Sequence, residues 1–403
     1  GVSMAVKLAS NPKMINFLRR TVGVFLYTRY KLRVENRHIV TELEPPFAIL
    51  PNHVGFWDPF FVGLYTPQTV HYVVSDFQFR IPVMKFLLGL VGAIPKSKAI
   101  SDFETVRNIF RVKKLKEVIG IFPEGMRNWD GHSLKPLFTT SKLIKALKIP
   151  VVIPILKGAY ICLPRWSRKR SNGPITVDFK MGFTVDELKT MSAEAIHTRL
   201  GELLLYDEWD YQREHMNKYR GRHRAEHVEL ALFMCPECNA IGTLRSKLHT
   251  LRCTGCGYSV DYNVHGFFER KKGVLHHETV RTWNLWQLDR TKVLLSKLEK
   301  DKSSEPIFTD DNLVIWRGFR REPMVEHDRG RLSLFTDRIE FVSDSGEKMD
   351  FMFQDIHGIN VQVREVVEFY HNEALYIFRF SDPWVSGYKW MVSVNYLNGK
   401  DPL

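Results

Sequence analysis

Two residues in one short stretch could do acid–base chemistry. Pro51-Asn52-His53-Val54-Gly55-Phe56-Trp57-Asp58-Pro59-Phe60-Phe61 holds a histidine and a carboxylate five positions apart. A neutral imidazole takes a proton from an incoming hydroxyl, and a carboxylate on the other ring nitrogen fixes the tautomer and stabilises the imidazolium that forms. No Ser or Cys nucleophile is required if the substrate brings its own hydroxyl. Taken singly, the pair reads as a histidine in a loop and an aspartate at a helix start. Base and carboxylate must meet in space before the spacing means catalysis.

Four cysteines could hold a metal. Cys235-Pro236-Glu237-Cys238 and Cys253-Thr254-Gly255-Cys256 are each followed by a turn-forming residue, Asn239 and Gly257, with fourteen residues between the pairs. Two such knuckles bring four thiolates into a tetrahedron, which suits Zn²⁺. Four protein ligands leave no open position, so the zinc expected on Cys235, Cys238, Cys253 and Cys256 is structural. A redox dithiol is the alternative. Five cysteines in 403 residues, with Cys162 standing alone, do not make a disulfide framework. A reducing cytoplasm fits them.

The elements that must position these groups follow from periodicity. Phe47–Leu50 is a short apolar run that reads as a buried strand, stopped by Pro51, which donates no ladder hydrogen bond. His53 then falls in the turn after a strand, where catalytic residues of α/β folds project. Further strands are expected at Val70–Val74, Val118–Phe122, Val151–Ile155 and Ile175–Phe179, and helices near 57–65, 80–91, 101–116 and 139–147. Strand–helix alternation predicts an α/β domain with a mostly parallel central sheet flanked by helices.

The length of 403 residues predicts two to three domains. The formal net charge of +13 favours an anionic partner: a membrane surface, nucleic acid or a phosphorylated substrate. No apolar run reaches spanning length, and no signal-peptide pattern is present. Residues 11–34 are expected to be helical, with Ile15, Leu18, Val22, Phe25 and Leu26 interleaved with Arg19, Arg20, Arg29, Lys31 and Arg33. That pattern suits a membrane interface or an ordinary surface helix equally. Arg165-Trp166-Ser167-Arg168-Lys169-Arg170 reads as a contact for lipid head groups or as a solvated loop.

Three more motifs follow the histidine stretch. They are Gly92-Ala93-Ile94-Pro95-Lys96-Ser97-Lys98, Phe122-Pro123-Glu124-Gly125-Met126-Arg127, and the proline-punctuated strand Ile149-Pro150-Val151-Val152-Ile153-Pro154-Ile155. The second sets a carboxylate, a glycine and a guanidinium in one tight loop, and arginine there suits bidentate phosphate contact.

These four blocks, in this order, resemble the glycerolipid acyltransferases, and most nearly the bacterial 1-acylglycerol-3-phosphate acyltransferases. The resemblance covers about residues 45–185. It implies that His53 and Asp58 are the catalytic dyad and that Glu124, Gly125 and Arg127 bind the glycerol phosphate acceptor. Asn52, beside the histidine, joins the substrate-binding set. So does Lys98, where the family ordinarily has arginine; lysine keeps the charge and loses the planar fork. The implied reaction moves a fatty acyl group from acyl-CoA or acyl carrier protein to the free hydroxyl of lysophosphatidic acid, giving phosphatidic acid. A lysophospholipid or glycerol-3-phosphate acyltransferase is the neighbouring alternative. An anionic membrane surface is the implied partner, with the protein cytoplasmic and peripheral on the inner face of the cell membrane.

Beyond the blocks, residues 185–231 read as helical and charged, with Leu200, Leu203, Leu204 and Tyr206 as an apolar face. Trp283, Trp286, Val293, Leu294 and Leu298 mark a helix over 283–299. After about residue 306 the period becomes two, with a final helix over 383–396. Several strands and then one helix is similar to pleckstrin-homology or GRAM-type modules, which bind lipids or proteins; a packing domain is the alternative. The expected divisions are 1–35 amphipathic helical segment, 36–231 acyltransferase domain with a trailing charged helix, 232–265 zinc ribbon, 266–305 helical linker and 306–403 β-rich module. A nucleic-acid-binding zinc-ribbon protein explains the charge and cysteines but leaves the four ordered blocks as coincidence. No basic–aromatic strand platform accompanies the cysteines, so no nucleic acid is expected.

Overall fold

The structure, a computed structural model, describes residues 12–79, 82–96, 103–319, 324–362 and 364–400. The chain divides into two compact units, residues 1–165 with 171–220, and residues 166–170 with 221–403.

In the first unit the elements run α1 (Pro12–Arg29), β1 (Lys31–Glu35), α2 (His38–Thr41), β2 (Ala48–Ile49), α3 (Asp58–Tyr65), β3 (Val70–Ser75), α4 (Asp76–Phe79) and α5 (Pro82–Leu90). Then come β4 (Ile94–Lys96), α6 (Phe103–Lys114), β5 (Val118–Gly120), α7 (Phe138–Leu147), β6 (Val151–Lys157), α8 (Ala159–Cys162), β7 (Pro174–Phe183), α9 (Val185–Thr190), α10 (Ala193–Leu204) and α11 (Glu208–His215). The seven strands form one sheet in the order β1-β7-β6-β2-β5-β3-β4. Every pairing is parallel except β6 with β7. The expected α/β sheet is therefore present, in mixed form.

Central strands of such a sheet are covered on both faces and read as continuous apolar runs. Val151–Leu156 of β6 are all buried. One face carries Ala48, Ile119, Val151 and Ile153 against Ile109 and Val112 of α6, Ile144 and Leu147 of α7, and Ile196, Leu200 and Leu204 of α10. The spacing of the last three residues puts them on one helical stripe. Burying a Leu or Ile side chain contributes roughly 1.5–3 kcal/mol, so this layer fixes the edge from which the site loops leave.

Two expectations are corrected. The helix expected over 11–34 ends at Arg29, and Lys31–Glu35 form an edge strand paired with β7. Leu32 and Val34 alternate with Lys31, Arg33 and Glu35, the two-residue period of a strand with one covered face. The charged helix expected up to residue 231 ends at His215, where Met216 adopts a left-handed conformation and its N–H caps Gln212 O. Lys218 and Arg220 lie beyond it in extended chain, Arg220 bridging to Asn172.

The second unit holds β8 (Leu244–Lys247), β9 (Thr250–Cys253), β10 (Ser259–Tyr262) and β11 (Phe268–Lys272), an antiparallel sheet in the order β11-β10-β9-β8. The fourth strand lies where the helical linker was expected to begin. The helix α12 (Val280–Lys300) follows, with Thr279 and Thr282 forming a reciprocal cap. Next are β12 (Phe308–Phe319), β13 (Val325–Leu334), β14 (Arg338–Ser343), β15 (Lys348–Met352), β16 (Ile356–Val361), β17 (Val366–His371), β18 (Ala374–Phe380) and α13 (Gly387–Leu397). They make a seven-stranded sheet in the order β15-β14-β13-β12-β18-β17-β16, so the β-rich C-terminal region is present. Among the described residues no helix is long and apolar enough to cross a membrane.

Candidate active site

β2 and β5 are parallel neighbours, with Ile49 opposite Gly120. His53 and Glu124 each lie four positions beyond that pair, so equal offsets set their loops side by side at the carboxyl edge of the sheet. Ligands of open α/β sheets bind at this edge.

Asp58 opens α3, and its carboxylate turns back into the preceding loop. His53 Nδ1 lies 2.8 Å from Asp58 Oδ2, which also accepts the backbone N–H groups of Val54 at 2.7 Å and Gly55 at 2.8 Å. A carboxylate can only accept from the ring, so the neutral tautomer carries its proton on Nδ1 and leaves Nε2 as the ring's acceptor. Asp58 is buried, while the His53 side chain keeps 21% exposure.

The ring rests on an aromatic stack. Phe122 lies parallel to His53 at 4.0 Å, and Tyr72 is stacked on Phe122 at 5.7 Å. A Cβ at Gly120 would collide with the Tyr72 ring, so glycine there makes room for the stack. Burial holds the His53 pKa below its ordinary value. The hydrogen bond and charge of Asp58 oppose that shift, and the cations Arg127 and Arg165 add to it. The lowered pKa favours the neutral imidazole, the form able to accept a proton.

Glu124, which the resemblance assigns to the acceptor, also ties two loops together. Its carboxylate is buried and accepts His53 N–H at 2.9 Å on one oxygen and Leu134 N–H at 2.9 Å on the other. Burial pushes its pKa up to about 8. It braces the loop that carries His53. Asn52 is also internal: its Oδ1 accepts Leu156 N–H at 2.8 Å and its Nδ2 donates to Leu156 O at 3.4 Å, continuing the β2–β6 pairing past Pro51. Gly125 is an exposed turn residue at φ +72°, where a Cβ would sit 2.8 Å from Leu137 Cδ1. Arg127 is half-buried, and its charge is felt at His53. Lys98 lies outside the described residues. Ile94–Lys96 of its motif form β4, which pairs with the end of β3.

Sequence reasoning missed Asn128, which is buried and donates its N–H to His53 O at 3.2 Å and its Nδ2 to the same oxygen at 3.4 Å. Its position directly after Arg127 was the available signal.

The second cluster is brought together as the spacing predicts. One ligand atom from each of Cys235, Cys238, Cys253 and Cys256 lies within 4.8 Å of all the others. The sulfurs of Cys235 and Cys256 are 3.7 Å apart, and those of Cys238 and Cys253 are 3.8 Å apart. Zn–S bonds of about 2.3 Å in a tetrahedron have S···S edges of about 3.8 Å, so the set fits Zn²⁺.

Comparison with known proteins bears on the first unit. A search of curated proteins gave no match. The chain is similar to the crystal structure of the 1-acyl-sn-glycerophosphate (LPA) acyltransferase from Thermotoga maritima, with a TM-score of 0.42, 15% identity, and coverage of 50% of this chain and 78% of that one. Residues 31–156, which contain His53, Asp58, Glu124 and Arg127, match the family model described as Acyltransferase.

Proposed function

We propose that the protein transfers a fatty acyl group from an acyl thioester to the free hydroxyl of 1-acylglycerol-3-phosphate. The observation that carries the reading is the contact between His53 Nδ1 and Asp58 Oδ2, inside the segment that matches acyltransferases. His53 Nε2 takes the hydroxyl proton as the oxygen attacks the thioester carbonyl. Asp58 stabilises the imidazolium. The tetrahedral intermediate collapses, the C–S bond breaks, and the imidazolium returns the proton to the departing thiolate. Arg127 holds the acceptor phosphate, with Lys98 as a second cation, and Gly125 lets the loop turn. Glu124 and Asn52 act through the loop that carries His53.

The donor is acyl-CoA or acyl carrier protein. Both lipid substrates carry an apolar chain, so the enzyme works at an anionic membrane surface, peripheral on the cytoplasmic side. The exposed Phe17, Val24, Phe25 and Tyr27 of α1 support that placement. A structural zinc on the four cysteines organises β8–β11 and takes no part in the chemistry. Seven antiparallel strands closed by one helix support a pleckstrin-homology or GRAM-like reading of the C-terminal region. The test is thiol release from acyl-CoA across lysophosphatidic acid, lysophosphatidylcholine and glycerol-3-phosphate. Preference for the first supports the assignment; preference for the choline ester replaces it with a lysophospholipid acyltransferase.

A further inference from the structure

The basic stretch 165–170 was expected to face lipid head groups or solvent. Its first residue does neither. Arg165 is 5% exposed, its guanidinium lies 4.1 Å over the Trp129 ring, and one of its terminal nitrogens donates to Arg127 O at 2.8 Å. The platform beneath it is fixed. Trp129 is fully buried, Tyr160 Oη donates to Trp129 O at 2.8 Å, and Trp209 Nε1 donates to Asp130 O at 2.8 Å.

The acceptor of the Arg165 bond belongs to a peptide group that also touches the base. Arg127 C=O and Asn128 N–H are the two poles of one planar amide. The oxygen takes the guanidinium, and the N–H donates to His53 O at 3.2 Å. A cation on one pole polarises the amide and strengthens the donor at the other. The same amide sets the direction in which the Arg127 side chain leaves the backbone.

We propose that Arg165 is a positioning residue of the acyl-transfer site: through the Arg127–Asn128 peptide it fixes the backbone of His53 and aims Arg127 at the acceptor's phosphate. The proposal rests on the acyl-transfer reading for its substrate and on geometry alone for its effect on His53. A guanidinium stacked on an indole with one nitrogen fixed on a carbonyl has a planar shape that lysine cannot copy.

The test compares Arg165→Lys and Arg165→Gln with the wild type in the full chain. Thermal melting is recorded for each. With acyl-CoA as donor, both variants raise the KM for 1-acylglycerol-3-phosphate about ten-fold and leave the KM for acyl-CoA unchanged, as loss of one charge-assisted contact predicts. Histidine Cε1 NMR, with the His53 signal assigned through His53→Gln, supplies a readout independent of turnover. Removing the cation in Arg165→Gln moves the His53 titration upward by on the order of half a pH unit, and Arg165→Lys, which retains the charge, leaves it near the wild type. An unchanged His53 titration in folded Arg165→Gln overturns the proposal, as does an unchanged acceptor KM in both variants. If Arg165→Gln melts early, the raised acceptor KM in Arg165→Lys decides. A wild type that ignores this acceptor while His53 still shifts sinks the substrate reading and leaves Arg165 in its role.

Discussion

Asp58 Oδ2 is shared by His53 Nδ1 at 2.8 Å and the backbone N–H groups of Val54 and Gly55 at 2.7 and 2.8 Å. One oxygen therefore sets both the tautomer of His53 and the shape of its loop. Replacing Asp58 by Asn removes the anion and offers the ring a competing donor. Asp58→Asn should lower the rate by roughly 10²–10⁴-fold. The pH profile carries a sign. The His53 pKa is depressed chiefly by burial and supported by Asp58, so activity persists at neutral pH and is lost as pH falls through that lowered value. In Asp58→Asn the support disappears and the acid limb moves lower still. A wild-type limb above the usual histidine range in kcat/KM would contradict the assignment of the base.

How much of this was legible depends on the type of contact. His53 and Asp58 are five positions apart across one loop and the start of α3, so the pair was visible locally, and the ordered blocks around it singled it out. The cysteines were legible because each Cys-x2-Cys knuckle is itself a local pattern, and the two together make a ligand set. Glu124 was visible as a residue, but its contacts to the backbone N–H groups of His53 and Leu134 were not, because those partners have no side-chain signature. Asn52 and Leu156 meet across a sheet register that no local pattern encodes. β1 was absorbed into a helix because its alternation spans only Lys31–Glu35 directly after a helical stretch. Arg165 reads as one more surface cation until the fold lays it on Trp129.

In the proposed reaction Arg127 offers a planar fork to an acceptor phosphate that carries nearly two charges at neutral pH. Arg127→Ala should cost about 1.5–3 kcal/mol in acceptor binding, a roughly ten- to hundred-fold loss in kcat/KM for lysophosphatidic acid, with thioester use little changed. Lys98→Arg should maintain or improve use of the same acceptor. Competition between lysophosphatidic acid and lysophosphatidylcholine at fixed donor reads both. An Arg127→Ala protein with unaltered acceptor choice would place the phosphate elsewhere.

Metal analysis should find about one Zn²⁺ per chain, lost when Cys235 and Cys238 are both replaced by Ser. The loss should lower the melting temperature of the second unit more than it changes turnover, because a site of four thiolates contributes its binding energy to folding. Metal-free protein that melts like the wild type would rule out a structural site.

The exposed apolar side chains of α1, with Arg20 and Arg29 among them, should bind anionic vesicles in a manner that salt weakens and does not abolish. Deleting residues 1–29 should reduce sedimentation with phosphatidylglycerol vesicles. Equal sedimentation of the truncated chain would assign attachment to another surface.

The most direct measurement is thiol release from acyl-CoA in the presence of lysophosphatidic acid, comparing the wild type with His53→Ala. His53 is half-buried above Phe122, and its removal leaves Asp58 with its two backbone donors, so the variant should fold. The wild type should release thiol only when acceptor is present, and His53→Ala, melting as the wild type does, should release none above background. Acceptor-dependent release by folded His53→Ala protein near the wild-type rate would contradict the account.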